Sequence, residues 1–241
     1  MRVLKYLLVC LVFVGCCRDN NLDVSKGKQV NISFDDGVSL ESLHANLDLF
    51  EIYDVKVTYY VSNIGLVLTL EDKLLDLVNE GHEIGVHGYN HFASAGYIEE
   101  HGIDTWLSEE VLRPKQVLDS LGIQVSTFSY PSGSRTQETD DLLKDYFSRV
   151  RGFRNSYDEI TPSNDAFLIE AYSIDSHNFD LAEISNSFYN LNDGETLFLA
   201  THMIRESDSD EGPWYILRRD LEAILKIGES LDINFVTVAG S

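Results

Sequence analysis

The chain has 241 residues, with 18 Lys and Arg against 40 Asp and Glu and a formal net charge of -22. Such a balance argues against a nucleic-acid partner, because phosphate backbones are bound by lysines and arginines that release counterions, and against a polybasic patch for an anionic membrane surface. Hydrophobic residues make up 44% and aromatics 11%, a globular load that argues against disorder and is enough for one sizeable core.

The first residues read MRVLKYLLVCLVFVGCC. Arg2 and Lys5 precede an apolar run over 6–17, and Arg18 ends it. This run is shorter than the roughly 18–20 residues a spanning helix needs, and its pattern is that of an export signal. Its end, FVGC (13–16), resembles a bacterial lipobox. That implies a signal peptide over 1–15, lipidation of Cys16, and a membrane-anchored lipoprotein facing the periplasm or the cell surface, held by its N-terminal lipid only. Phe13 departs from the usual lipobox residue, so an ordinary cleaved signal peptide is the alternative. Cys10, Cys16 and Cys17 are the three cysteines. The expectation is therefore a folded domain with neither a disulfide framework nor a thiolate metal site. Residues 16–27 read as a polar tether and 28–241 as one domain.

Strand-like and helix-like segments then alternate. Residues 29–34 (QVNISF) are β-prone, and 39–53 carry Leu40, Leu43, Leu47 and Phe50 at the spacing of a helix face. A strand over 56–62, a helix over 70–80 ended by Gly81, and a strand over 82–87 follow. Next come a helix over 105–121, a strand over 125–130, a helix over 136–147 and a strand over 148–153. The second half continues with a strand over 166–174, a helix over 181–191, and an apolar strand over 196–202 of the buried parallel kind. A helix over 213–231 and a strand over 234–238 close the series. This alternation implies a parallel sheet with crossover helices. Seven or eight strands fit an α/β fold of the distorted, TIM-like (β/α) barrel type better than an open doubly wound sheet.

Chemistry-bearing residues fall at the strand ends: Asp35, Asp36 and Gly37 after the first strand, then His87 with His91, then Pro131, Ser132 and Gly133, then Asp175, and last His202. In a (β/α) barrel those ends converge on one face, where active sites are built. His87 and His91, at i and i+4, can bind one ion from a helical turn, and a carboxylate from Asp35 or Asp36 would complete a facial set. Such donors suit zinc, and also cobalt, nickel, manganese or iron. His82-Glu83 opens like a zincin HExxH, but the next histidine falls one residue too late. Asp-Asp-Gly is also good turn chemistry, and a lone strand-end histidine can be a satisfied core residue.

SFDDG (33–37), HEIGVHGYNH (82–91), FSYPSG (128–133), DSHNF (175–179) and LATH (199–202) occur in this order. Together they resemble the five signature motifs of the polysaccharide deacetylases, the NodB-type domains of carbohydrate esterase family 4. The resemblance implies a metal-dependent hydrolase acting on an acetylated oligo- or polysaccharide, at N-acetyl or O-acetyl groups. It implies Asp35 as general base, His202 as general acid, and Asp36, His87 and His91 as ligands of a divalent metal such as zinc. Pro131, Ser132 and Gly133 would line the acetyl pocket, with the Ser132 amide at the oxyanion. Asp175, His177 and Phe179 belong to the fourth motif.

Departures from the pattern bear on activity. The third motif usually carries an arginine where Ser129 stands and an aromatic where Ser132 stands, and the fourth usually reads Asp-x-x-Asp-Trp. Arg135 is the nearest candidate in sequence to partner Asp175, His177 could face the pocket, and Phe179 could supply the apolar wall of the missing tryptophan. These losses motivate an alternative, a non-catalytic glycan-binding lipoprotein on the same scaffold. His44 and His101 read as surface residues, and Trp106 and Trp214 as core or rim. The sequence leaves the oligomeric state open.

Overall fold

A computed structural model describes residues 27–154, 160–163, 165–208 and 212–241. The expected leader, Cys16, Cys17 and most of the tether lie outside the described residues. Seven strands form a closed parallel barrel: β1 (Gln29–Asp35), β2 (Thr58–Val61), β3 (Glu83–Val86), β4 (Thr127–Ser129), β5 (Arg149–Phe153), β6 (Leu168–Ser173) and β7 (Thr196–Thr201). Each pairs with the next, and β1 pairs with β7 over six residues, from Gln29↔Thr196 to Phe34↔Thr201. The seams are uneven: β3 and β4 share one registered pair, Val86↔Phe128, and β6 and β7 share two. The barrel is therefore the distorted (β/α) type that the alternation predicts.

Strand alternation sorts the side chains. In β1, Val30, Ile32 and Phe34 pack outward into the large core beneath the helices, while Asn31, Ser33 and Asp35 are buried on the other face. Phe198 and Ala200 of β7, Ile169 and Ala171 of β6 and Tyr60 of β2 form a second cluster that fills the lumen. A period of two explains both sets, because each strand is covered by helices on one side and by its own barrel on the other.

Helices follow the predicted order with shifted boundaries. The stretch over 39–53 breaks into Ser39–His44 and Leu47–Ile52. The long helix over 105–121 is three coaxial pieces, Ile103–Trp106, a π-helical turn Leu107–Leu112, and Arg113–Ser120. A helix over Ser94–His101, which carries no clear apolar period, escapes the sequence reading. The segment from 213 starts as a strand instead: β8 (Met203–Arg205) and β9 (Tyr215–Leu217) form a small parallel sheet, and the helix begins only at Arg218. An aromatic followed by a β-branched residue, Tyr215-Ile216, makes the strand competitive there.

The last strand, β10 (Asn234–Phe235), lies beside the start of β1 through Gln29↔Asn234 and Val30↔Phe235. It occupies the flank of β1 that β2 reaches only from Ser33 onward. The tail after it seals the barrel base. The Val238 amide donates to Thr58 Oγ1 at 3.0 Å, the Ala239 amide donates to Glu83 Oε2 at 2.9 Å, and Arg149 bonds Ser241. No helix among the described residues is long and apolar enough to cross a membrane.

His82, the first residue of the misleading HE pair, is structural. Its Nδ1 accepts the Val57 amide at 3.1 Å and its ring packs edge-on against Phe50. Burial, with a smaller contribution from Lys56, pushes its pKa down to about 4. The unfolded chain therefore takes up a proton that the folded chain refuses, so this site costs stability as pH falls from about 6.5 towards 4. The penalty amounts to on the order of 3 kcal/mol at the acid end. Denaturant unfolding at pH 7 and pH 5 should show a smaller stability loss for His82→Leu than for the unaltered protein; equal losses would contradict this account.

Candidate active site

The C-terminal ends of the barrel strands open into a cavity of about 550 Å³. Asp35 ends β1 facing the lumen and is 1% exposed. Asp36 then takes a left-handed backbone (φ 74°), with its carbonyl held by the Tyr59 hydroxyl at 3.1 Å. Gly37 is required by space: a Cβ there would lie 2.5 Å from the Ser62 carbonyl oxygen. The sharp turn points the two neighbouring carboxylates to different tasks, Asp35 into the lumen and Asp36 towards the histidines.

His87 follows β3. Its Nδ1 lies 2.9 Å from the Ser129 carbonyl, an obligate acceptor, so the ring proton sits on Nδ1 and the Nε2 lone pair faces the cavity. His91 Nε2 is 3.2 Å and His87 Nε2 3.8 Å from Asp36 Oδ1. One donor atom from each of Asp36, His87 and His91 lies within 4.8 Å of the others. Burial lowers the His87 pKa, outweighing the nearby carboxylates, so the ring is neutral. Two imidazole nitrogens and a carboxylate oxygen fit a divalent cation with open positions.

The His87–His91 segment differs from the expected helical turn. Gly88 (φ 79°) and His91 (φ 68°) are both left-handed, and the segment is a loop. The rings still converge, with centroids 4.8 Å apart.

His202 follows β7 at the far side of the barrel seam. Asp175, after β6, is fully buried and accepts four hydrogen bonds or contacts around it: from Thr201 Oγ1 at 2.8 Å, Ser173 Oγ at 3.0 Å, the His202 amide at 3.1 Å and His202 Nδ1 at 3.0 Å. Burial alone would lower the His202 pKa, but Asp175, Asp35 and Asp36 outweigh it and the net shift is upward. His202 Nε2 then lies 3.9 Å from Asp36 Oδ2, in the cavity wall.

Arg135 does not serve Asp175; it pairs with Asp140, which also accepts from the Tyr130 hydroxyl at 2.9 Å. Asp140 is nearer in sequence and sits in the adjoining helix Gln137–Leu143.

The arginine absent at position 129 has a counterpart on the next strand. Arg151 of β5 stands in register with Ser129 of β4. Its fully buried guanidinium bonds both oxygens of Asp35 and lies over the Phe153 ring at 4.3 Å. Burial would raise the Asp35 pKa; Arg151, His87 and His202 reverse this and hold the carboxyl below its ordinary value. A charge between Val150 and Gly152 in a buried strand is the signal the sequence offered for it.

Of the third motif, Ser132 (φ 56°) lines the cavity; Pro131 is buried and Gly133 sits against Phe153. His177 lines the cavity and meets Trp214 edge-on at 5.1 Å. Phe179 instead packs against the core and is not part of the lining. The exposed aromatic wall is Trp214, 53% exposed and 5.3 Å from the His202 ring, whereas Trp106 is core. His44 pairs with Asp76, and His101 ends a helix beside Tyr97.

Comparisons with solved structures recover this fold. The peptidoglycan deacetylase PdaC from Bacillus subtilis is 18% identical, with a TM-score of 0.58 over 89% of this chain and 90% of that one. A Streptococcus mutans CE4 esterase is 17% identical, with a TM-score of 0.59 over 88% and 87%. BA3943 from Bacillus anthracis, a CE4 family pseudoenzyme, is 14% identical, with a TM-score of 0.59 over 89% and 65%. No curated protein matches the sequence. Residues 23–149, more than half of the chain, match the family model of polysaccharide deacetylase. On that match, with the barrel and its ordered strand-end motifs, the chain belongs to the polysaccharide deacetylase family.

Proposed function

We propose that the protein is a metal-dependent carbohydrate deacetylase that hydrolyses acetyl groups, N-acetyl in preference to O-acetyl, on a glycan. The observation that carries this reading is the meeting of two differently tuned groups at one cavity: a carboxylate kept ionised by Arg151, and an imidazole whose pKa is raised beside Asp175. Asp36, His87 and His91 would hold a divalent cation, which when bound acidifies water and polarises a carbonyl. Asp35, ionised, accepts a proton from the attacking water. His202, protonated, donates one to the departing sugar nitrogen or oxygen. The Ser132 amide would face the developing oxyanion. Trp214 and His177 offer ring surfaces on which a pyranose can stack. The acidic chain favours a neutral glycan, or one that becomes cationic on deacetylation, over a polyanion.

Acetate release from N-acetylglucosamine oligomers and from acetylated xylan is the direct test. Turnover should require added zinc or cobalt, stop with a chelator, and be lost in Asp36→Ala together with the bound ion. Metal binding without acetate release from any acetylated glycan would favour the non-catalytic alternative, which the pseudoenzyme among the structural relatives keeps in play.

Arg151 is expected to be essential to turnover. Removing it leaves a buried carboxylate unpaired, a change that typically costs about 3–5 kcal/mol. Arg151→Ser should lower kcat by on the order of 10²-fold or more. Adding Ser129→Arg, on the strand in register, should restore part of the loss. Full activity in Arg151→Ser would overturn this assignment.

The leader supports export and anchoring through Cys16. Cys16→Ala should move the protein from the membrane fraction to the soluble or secreted fraction, and an unchanged distribution would contradict anchoring.

A further inference from the structure

One buried carboxylate takes no part in this chemistry. Glu110 is 1% exposed and sits in the π-helical turn Leu107–Leu112. It shares the inward stripe of Trp106, Pro114 and Leu118, at intervals of four. Among the described residues it forms no ion pair. Its neighbour Glu109 points to solvent and pairs with Arg113 at 3.0 Å. A buried carboxylate without a cation is costly unless hydrogen bonds compensate it. Here the donors come from one loop: the Asn90 amide at 3.0 Å, Asn90 Nδ2 at 2.8 Å and the Phe92 amide at 3.4 Å.

Those two amides flank His91. This loop carries left-handed residues at 88 and 91, and its two amides donate to Glu110. A non-glycine residue at φ 68° persists only where its surroundings over-determine it. Glu110 also confines the loop from below: a Cβ on Gly88 would lie 3.0 Å from Glu110 Oε2 and 3.2 Å from Pro131 Cγ.

We propose that Glu110 is a positioning residue for the cation site, holding His91 in its left-handed conformation so that Nε2 meets Asp36 and His87. This rests on the reading of Asp36, His87 and His91 as metal ligands. Outer partners of metal ligands typically change metal affinity by about 10–100-fold.

The test is a Co²⁺ titration of the purified protein, read by visible absorption, with Zn²⁺ competition for affinity. Glu110→Ala should weaken Zn²⁺ binding about 10–100-fold and alter the Co²⁺ band intensity. Glu110→Gln, which keeps an acceptor, should lose less. Glu109→Gln should leave binding unchanged. Thermal unfolding of the chelated proteins separates a loss of fold from a loss of the site. If Glu110→Ala does not fold, Glu110→Gln decides. Unchanged Zn²⁺ affinity and Co²⁺ spectrum in folded Glu110 variants would overturn the proposal while leaving the metal-dependent reading intact. A wild-type protein that binds neither ion would overturn that reading itself.

Discussion

The ion pair of Asp35 with Arg151 is the constraint around which the site is arranged. Both side chains are fully buried, in the lumen of a barrel otherwise filled by Phe198, Ile169 and Tyr60. An uncompensated charge there would be neutralised by a shifted pKa or expelled. The pair solves this by geometry: two strands far apart in sequence meet across the lumen, and the guanidinium is cushioned by Phe153 and Tyr60. Such pairs seldom add stability over an apolar core, and their value lies in what they specify. Here the specified state is an ionised carboxylate beneath two imidazoles.

Around that fixed anion, the other groups divide by sign. Asp175 is given four donors and so draws His202 towards its cationic form. The Ser129 carbonyl accepts a hydrogen bond from His87 Nδ1–H and leaves the other ring nitrogen bare. The same strand end thus surrenders the family arginine at residue 129 and still serves the site through its backbone. A side chain can move to the neighbouring strand because in-register residues of parallel strands share a face.

Much of the barrel was legible in the chain, since alternation of apolar segments and strand-end polar residues needs only local periodicity. Asp35, Asp36, His87 and His202 stood out because each ends or directly follows a strand, and His91 because it lies four residues after His87. The helical turn assumed for His87 and His91 was not legible, because its replacement depends on Gly88, on the left-handed His91 and on a carboxylate twenty residues away. Glu110 was missed: the sequence reading took 105–121 as one helix of uniform pitch and gave this acid no inward role. Arg151 was missed as well, because a charge between apolar neighbours in a strand does not reveal its partner 116 residues away. Phe179 and Trp214 exchanged roles for a similar reason: β8 and β9 hold Trp214 over the mouth, and that small sheet forms only through tertiary pairing.

The longest ladder of the barrel joins β1 to β7, elements separated by most of the domain. Contacts of such high sequence separation are slow to form, because the loop-closure entropy is lost before the ladder compensates it. Asp35 and His202 stand at the tops of these two strands, directly on either side of the seam. Asp35 and His202 therefore come from opposite ends of the domain and become neighbours only when the cylinder shuts. Asp36, His87 and His91 follow strands early in the chain, yet their geometry leans on the Ser129 carbonyl and on Glu110, and the pairing of β1 with β7 brings the last group of the site, His202, beside Asp35.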